Sequence, residues 1–381
     1  MSLTLLFGLS AALHFYIGLR IAPWLGTGAW AAAFVLVLVL SFLLTPMGML
    51  ARRWLRPPVS DTVAAIGLSF MGLFSSLLVL TVLREALLAL GWAVHALAPG
   101  WADPAGWRAA SAEAVPPLAL LVTLLGFWNA RRTAPVKTVE VPLAGLPQAL
   151  HGFTIVQISD IHVGPTIRGP YVQGIVESVN RLKPDLVAIT GDLVDGPVHE
   201  LGAHVAPLAG LVSRHGSFFV TGNHEYYSGA LPWMAELDRL GIRVLHNEHV
   251  VIERQEGKLV LAGVTDFSGG HFHDDHRSDP HAAIAGAPQD AHARVLLAHQ
   301  PRSATAAASA GFDLQLSGHT HGGQFLPWNL FVPLQQPFTA GLHRLDRLWV
   351  YVSRGTGYWG PPKRFGAPSE ITQVRLVTAS A

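Results

Sequence analysis

The sequence predicts two parts: helices that cross a membrane, then a layered α/β domain. Three observations carry that division. Half of the 381 residues are hydrophobic and only 13% are charged, where a soluble domain carries about a quarter charged. That excess lies almost wholly in the first third of the chain. After Gly152, short β-branched runs alternate with helical stretches, the pattern of strands and helices in layers. The carboxyl ends of those runs then collect Asp, Asn and His, and open α/β sheets bind their ligands at those ends.

The membrane part is read from unbroken apolar runs. "LTLLFGLSAALHFYIGLRIA" from Leu3 is interrupted only by His14 and Arg20. "AWAAAFVLVLVLSFLLTPMGML" from Ala29 and "VAAIGLSFMGLFSSLLVLTVL" from Val63 are stronger. "AVPPLALLVTLLGFWNA" from Ala114 is shorter, with two prolines near its start. A spanning helix needs roughly 17–25 apolar residues, so three runs qualify and the fourth is borderline. "ALLALGWAVHALAPGW", Ala86–Trp101, either prolongs the third helix or lies in the interface. The first run has no charged segment ahead of it and more runs behind it, so it reads as a span and not as a cleaved leader.

Charge and cysteine content exclude some function classes. With 26 Lys and Arg against 25 Asp and Glu, no global basic field exists to attract nucleic acid. No cysteine is present, which removes disulfides and thiolate metal sites. The switch to the second part comes at "RRTAPVKTVEVPLAGLPQALHG", where charge, Pro and Gly appear. Residues 1–130 are therefore expected to form the transmembrane region, 131–151 a linker, and 152–381 the α/β domain.

Seven strands are expected there: "FTIVQIS", "LVAIT", "SFFVT", "KLVLAGV", "ARVLLA", "FDLQLS" and "LWVYVS". "YVQGIVESVNRL" and "LPWMAELDRL" read as helices, the first with Ile175, Val179 and Leu182 on one face. Five strand ends carry chemistry. Asp160 and His162 follow the first strand, Asp192 the second, Asn223, His224 and Glu225 the third, His299 the fifth, and His319 and His321 the sixth. Polar core residues scattered at random would not choose one end of the sheet each time. Two divalent cations about 3.5–4 Å apart clamp the attacking and leaving oxygens of a phosphoryl centre and lower the pKa of water. One carboxylate must bridge them, and Asp192 is the natural candidate. Mixed N/O ligands without thiolate suit Mn, Fe or Zn better than Mg or Ca. His319 and His321, one residue apart in "GHTHGGQ", need not share an ion, because they can point to two ions side by side.

At this point the chain resembles a known family. "SDIHVG", "TGDLVDG", "TGNHEYY", "LLAHQP" and "GHTHGGQF" match, in order, the motifs of the calcineurin-like metallophosphoesterases, from about His151 onward. The tail "YVSRGTGYWGPPKRFGAPSEITQVRL" resembles the branch containing the bacterial YkuE and YaeI proteins, which often has membrane segments ahead of the domain. The resemblance implies a β-sandwich flanked by helices. It implies one metal on Asp160, His162, Asp192 and His321, and another on Asp192, Asn223, His299 and His319. It also makes His224 a histidine that binds no metal and stands near the leaving oxygen.

Other features admit two readings. "HFHDDH", His271–His276, is a solvated loop or a lid with its own metal site. Arg302 and Arg168 meet a substrate phosphate or form ordinary surface contacts. Glu225, Tyr226 and Tyr227 shape the pocket or pack. His14 and His95 are interfacial or hydrogen-bonded. "FLPWNLFVPLQQPF", Phe325–Phe338, is a packed loop or a greasy rim that admits a lipid tail.

The expected function is a multi-pass, membrane-anchored phosphoesterase using two divalent metals on a phosphodiester or pyrophosphate. A membrane lipid or lipid-linked nucleotide is the first substrate class. A soluble cyclic nucleotide is the enzymatic alternative, and a sensor or transporter with a ligand-binding phosphoesterase domain is the non-enzymatic one. With four spans, Arg52, Arg53, Arg56, Arg131, Arg132 and Lys137 share one face, and Arg20, Arg84 and Arg108 the other. Positive residues favour the cytoplasm, so the catalytic domain is expected there, at the inner membrane.

Overall fold

A computed structural model describes residues 3–379. They fall into two compact units. One runs to Arg131 and takes in Gly360–Phe365; the other holds Arg132–Trp359 and the remainder from Gly366.

The first unit is helical: α1 (Leu3–Ile21), α2 (Ala29–Trp54), α3 (Val59–Leu97) and α4 (Pro104–Arg131). All four are long and apolar enough to cross a membrane. The fourth run is borderline by itself, but its helix begins earlier, at Pro104, and reaches 28 residues. α3 absorbs the stretch after Ala86 and reaches 39 residues, about 58 Å at 1.5 Å per residue. Glycine allows α2 and α3 to touch: a Cβ on Gly48 would sit 2.7 Å from the Gly67 Cα, the small-residue contact common between membrane helices. His14 is hydrogen-bonded, to Ser41 Oγ at 2.8 Å and to the Ser10 carbonyl at 2.8 Å, and His95 to the Ala102 carbonyl at 2.9 Å. Within the same unit Lys363 is buried and its Nζ donates to the Gly72 carbonyl, Ser75 Oγ and Ser76 Oγ at 2.6–2.9 Å.

The second unit contains β1 (Val136–Leu143), β2 (Thr154–Ile158), α5 (Gly169–Arg181), β3 (Leu186–Ile189), α6 (Val198–Val205), β4 (Ser217–Phe219), α7 (Asn223–Ser228), α8 (Ala230–Arg239), β5 (Ile242–Val244), β6 (Glu248–Arg254), β7 (Gly257–Gly263), β8 (Ala293–Leu297), β9 (Leu314–Ser317), β10 (Gly341–Leu345), β11 (Leu348–Val352) and β12 (Ile371–Thr378). One six-stranded sheet has the order β1-β12-β2-β3-β4-β5 and the other β10-β11-β9-β8-β7-β6. Alternate residues explain the sandwich. Ile155, Leu186, Ala188 and Val374 of the first sheet share one core with Leu259, Leu261, Val295, Leu297, Leu314 and Leu316 of the second. Their neighbours Ala262, Leu296, Val350 and Val352 face outward into a second cluster with Ala283, Ala304, Ala307 and Phe312. A sheet covered on both faces needs apolar residues at every position, which is why these strands were visible as continuous runs.

β1 lies inside the stretch 131–151 that reads as a linker. It pairs in parallel with β12, from Val136↔Ile371 to Leu143↔Thr378. β2, β3 and β4 run parallel in one sheet, and β8 and β9 parallel in the other. That arrangement brings five carboxyl ends together.

Candidate metal centre

Turns of unusual conformation hold the polar side chains. Asp160, His162, Asp192, His319 and His321 all have positive φ, at 53°, 56°, 51°, 70° and 52°. Left-handed backbone at such residues costs on the order of 1–3 kcal/mol each and persists only where the surroundings over-determine it, typically at functional sites. Two glycines make the close approach possible. A Cβ on Gly222 would meet Asp192 Oδ1 at 2.2 Å, and one on Gly318 would meet Asp160 Oδ2 at 2.2 Å.

Three sets of side chains converge with their polar atoms within 4.8 Å: Asp160 with His162 and His321, Asp192 with His299 and His319, and His162 with Asp192 and His224. Asp192 belongs to two of these sets, its Oδ2 lying 3.1 Å from His299 Nε2 and 3.9 Å from His162 Nε2. Asn223 lines the same cavity of about 250 Å³. Every sequence-predicted site residue therefore lies in one place.

The donor chemistry fits cations. His299 Nδ1 is 2.7 Å from the Thr190 carbonyl, which can only accept. In its neutral form the ring would thus present a bare Nε2 lone pair to Asp192 Oδ2 at 3.1 Å and to His319 Nδ1 at 3.2 Å. His162 Nδ1 is likewise 2.9 Å from Asp195 Oδ1, leaving Nε2 to face His321 Nε2 at 3.1 Å. Lone pairs facing lone pairs and carboxylates need a positive charge between them. Asp160 Oδ2 and Asn223 Oδ1 are buried and have no hydrogen-bond partner among the described residues, a cost of about 1–3 kcal/mol each that coordination would remove.

The ionisation shifts have the same origin. Burial pushes the Asp160 carboxyl up. Burial also opposes charge on Asp192, but His299 and then His224 outweigh it and hold that carboxyl well below its usual range. Burial, then the neighbouring His299, pushes His319 down to about 3, so its ring is a neutral donor. Burial opposes a proton on His299, yet Asp192 raises it well above the ordinary histidine value. A divalent cation at the same place would supply that positive charge.

Asp195, which lies outside the expected set, and Glu225, expected only as a neighbour of the Asn-His pair, organise this centre. Asp195 Oδ1 lies 2.9 Å from His162 Nδ1 and 2.7 Å from His224 Nδ1, so one carboxylate orients both rings. It stands in "TGDLVDG", three residues after Asp192, and that second acid was the available signal. Glu225 is buried and accepts from the backbone N–H of Asp192, Leu193 and Gly222 at 2.6–2.9 Å. It ties the β3 turn to the β4 turn.

The doubtful features also find their places. His276 is buried and its Nδ1 is 2.8 Å from the Tyr226 hydroxyl. Among the described residues, "HFHDDH" contributes to no group of three side chains with metal-holding geometry. Arg302 donates to the Gln335 carbonyl at 2.6 Å and lies over Phe267, and Arg168 donates to His204 Nε2 at 2.9 Å. Tyr227, Trp328, Val332 and Trp359 line the cavity beside His224.

The calcineurin-like phosphoesterase family model matches residues 153–323, the stretch that holds every one of these polar groups. A metallophosphoesterase of Aquifex aeolicus is 35% identical over 260 residues, covering 67% of this chain and 97% of that protein. The chain belongs to the calcineurin-like metallophosphoesterases. This metallophosphoesterase is also 29% identical over 263 residues to the metallophosphoesterase YkuE of Bacillus subtilis, covering 66% of the chain and 90% of YkuE. A Bos taurus transmembrane protein with metallophosphoesterase domain is 43% identical over 279 residues, covering 69% of the chain. The metallophosphoesterase spans 63% of that bovine protein, less than two thirds of its length. Its residues 153–323 form the calcineurin-like phosphoesterase domain, and its four long apolar helices are suited to a membrane.

Proposed function

We propose that this enzyme hydrolyses a phosphodiester or pyrophosphate bond of a membrane lipid, with Mn, Fe or Zn as its two cations. Asp160, His162, Asp192 and His321 would hold one cation, and Asp192, Asn223, His299 and His319 the other. Cations there would polarise the phosphoryl group and make water acidic enough to attack near neutral pH. The chain's own groups do the rest. His224, oriented through Nδ1 by Asp195, turns Nε2 to the leaving oxygen and donates a proton. Glu225 keeps the Asp192 backbone in its left-handed turn. Trp328 and Val332 line the cavity beside His224.

The observation that carries the lipid assignment is the apolar segment that contributes Trp328 and Val332 to that cavity. Leu326, Leu330, Phe331 and Leu334 are 40%, 63%, 48% and 79% exposed, on the segment that contains the 3₁₀ turns Trp328–Leu330 and Val332–Leu334. A contiguous exposed apolar patch marks an interaction surface. In a chain with membrane-spanning helices, acyl chains are the available apolar partner. Full-length enzyme is incubated with a membrane-lipid extract and the phosphate-containing products are identified by mass spectrometry. Metal-dependent release of a lipid headgroup is expected. The pair Leu330→Ser and Leu334→Ser should slow turnover of vesicle-embedded substrate about tenfold or more, since each buried leucine contributes ~1.5–3 kcal/mol. Hydrolysis of soluble bis-p-nitrophenyl phosphate should be unchanged. Equal losses on both substrates, or no lipid product, would refute the lipid assignment and favour a soluble phosphodiester.

The charge asymmetry of the loops supports a cytoplasmic catalytic domain at the inner membrane. A phosphatase reporter fused after Ala381 should be silent, and a fluorescent reporter that folds only in the cytoplasm should be bright. The reverse pattern would place the domain outside.

A further inference from the structure

The helical unit carries a polar recess that the phosphoesterase reaction does not use. It measures about 450 Å³ and is lined by Arg20, Trp24, Arg84, Glu85, Trp92 and Arg108, with Leu19 and Leu88 as apolar wall. Three guanidinium groups face a single carboxylate, leaving an excess of two positive charges.

The three arginines are not equivalent. Arg84 is 5% exposed and fully engaged. Its Nε donates to Ser111 Oγ at 3.0 Å, one terminal nitrogen to Glu85 Oε1 at 2.5 Å, and the other to the Arg108 carbonyl at 2.8 Å. Arg20 is paired with Glu85 Oε2 at 3.0 Å. Both oxygens of Glu85 are thereby taken. Arg108 is different. Its guanidinium carbon lies 5.6 Å from the Trp24 ring centre and 5.8 Å from that of Trp92. No hydrogen bond or ion pair among the described residues engages the guanidinium itself.

Two indoles thus hold a charged planar fork in place while leaving its five N–H donors unused. A side chain fixed in this way loses little entropy on binding, and its geometry matches the oxygens of a phosphate. The position is also informative. Tryptophan and arginine at the ends of spanning helices sit at headgroup level, and charge in such segments usually serves a function.

We propose that this recess binds a phosphate-bearing anion, with Arg108 donating to the phosphate oxygens between Trp24 and Trp92. The anion comes either from a lipid headgroup, with its acyl chains against Leu19 and Leu88, or from free phosphate. The inference does not depend on which substrate the metal centre cleaves.

Native mass spectrometry of the full chain from detergent tests it, with phosphatidylglycerol, phosphatidylcholine and inorganic phosphate as probes. Wild type should retain phosphatidylglycerol over phosphatidylcholine about fivefold, and Arg108→Gln should remove that preference. Arg108→Lys, which keeps charge but loses the fork, should fall between them. Retention of phosphatidylglycerol in millimolar phosphate assigns the site to lipid. Its displacement by phosphate, with a phosphate-dependent rise in Tm that Arg108→Gln lacks, assigns it to the free anion. Unchanged hydrolysis of soluble bis-p-nitrophenyl phosphate by the variant verifies that it is folded. Lipid retention and phosphate response in Arg108→Gln equal to wild type, or neither response in wild type, would overturn the proposal.

Discussion

Asp192→Asn is expected to lower turnover of any phosphodiester by about 10³-fold or more, the scale of losing a principal electrostatic stabiliser, and to leave the purified protein short of both cations. The reason lies in the position of one carboxylate. Asp192 shares metal-sized clusters with His162 on one side and with His299 and His319 on the other. Its Oδ1 also accepts the His224 backbone N–H at 2.9 Å. Asparagine can keep that hydrogen bond, so the fold and the α7 turn should survive, which circular dichroism will verify. It cannot keep the negative charge that draws positive charge into the cluster. Asn223→Ala, by contrast, should deplete mainly one position. Elemental analysis showing two ions per chain in Asp192→Asn would contradict the bridging role.

His224→Ala is expected to separate substrates by their leaving groups. An alkyl ester departs as a strongly basic alkoxide and needs a proton; p-nitrophenolate does not. The variant should therefore lose about 10²–10⁴-fold in kcat with an alkyl ester, the usual contribution of a general acid. The loss with a p-nitrophenyl ester should be much smaller. Burial opposes the charged ring, but Asp192 and then Asp195 overcome that and hold His224 protonated, at a pKa of about 9 in the protein without cations. Bound cations would draw this value back toward neutrality, where an imidazole donates readily. Metal content should stay at the wild-type level. Equal losses across a leaving-group series, or a missing ion, would make His224 a structural support and not a proton donor.

Much of this centre was legible because of how the sandwich is built. Parallel strands covered on both faces appear as continuous apolar runs, such as Leu186–Ile189 and Val295–Ala298, and the first polar residue after each run marks its carboxyl end. β1 and β12 were harder to see. β1 alternates exposed Val136, Thr138 with Glu140 on its outer face, and its short period sits amid Pro and Gly that suggest a linker. β5 has only three residues, and β6 is half exposed. The role of Asp195 is hidden in the sequence because it depends on the third dimension: it meets His162 across 33 residues and His224 across 29. Lys363 is a stronger case. A lysine in a Pro- and Gly-rich tail reads as solvated, and the serines that bury its amine stand 287 and 288 residues earlier.

The central claim is that one cluster of side chains holds two cations joined at Asp192. Anomalous diffraction from crystals of the manganese-loaded enzyme tests it most directly. Two peaks are expected, one among Asp160, His162 and His321 and the other among Asn223, His299 and His319, with Asp192 reaching both. A single peak, or a second peak outside this cluster, would contradict the account.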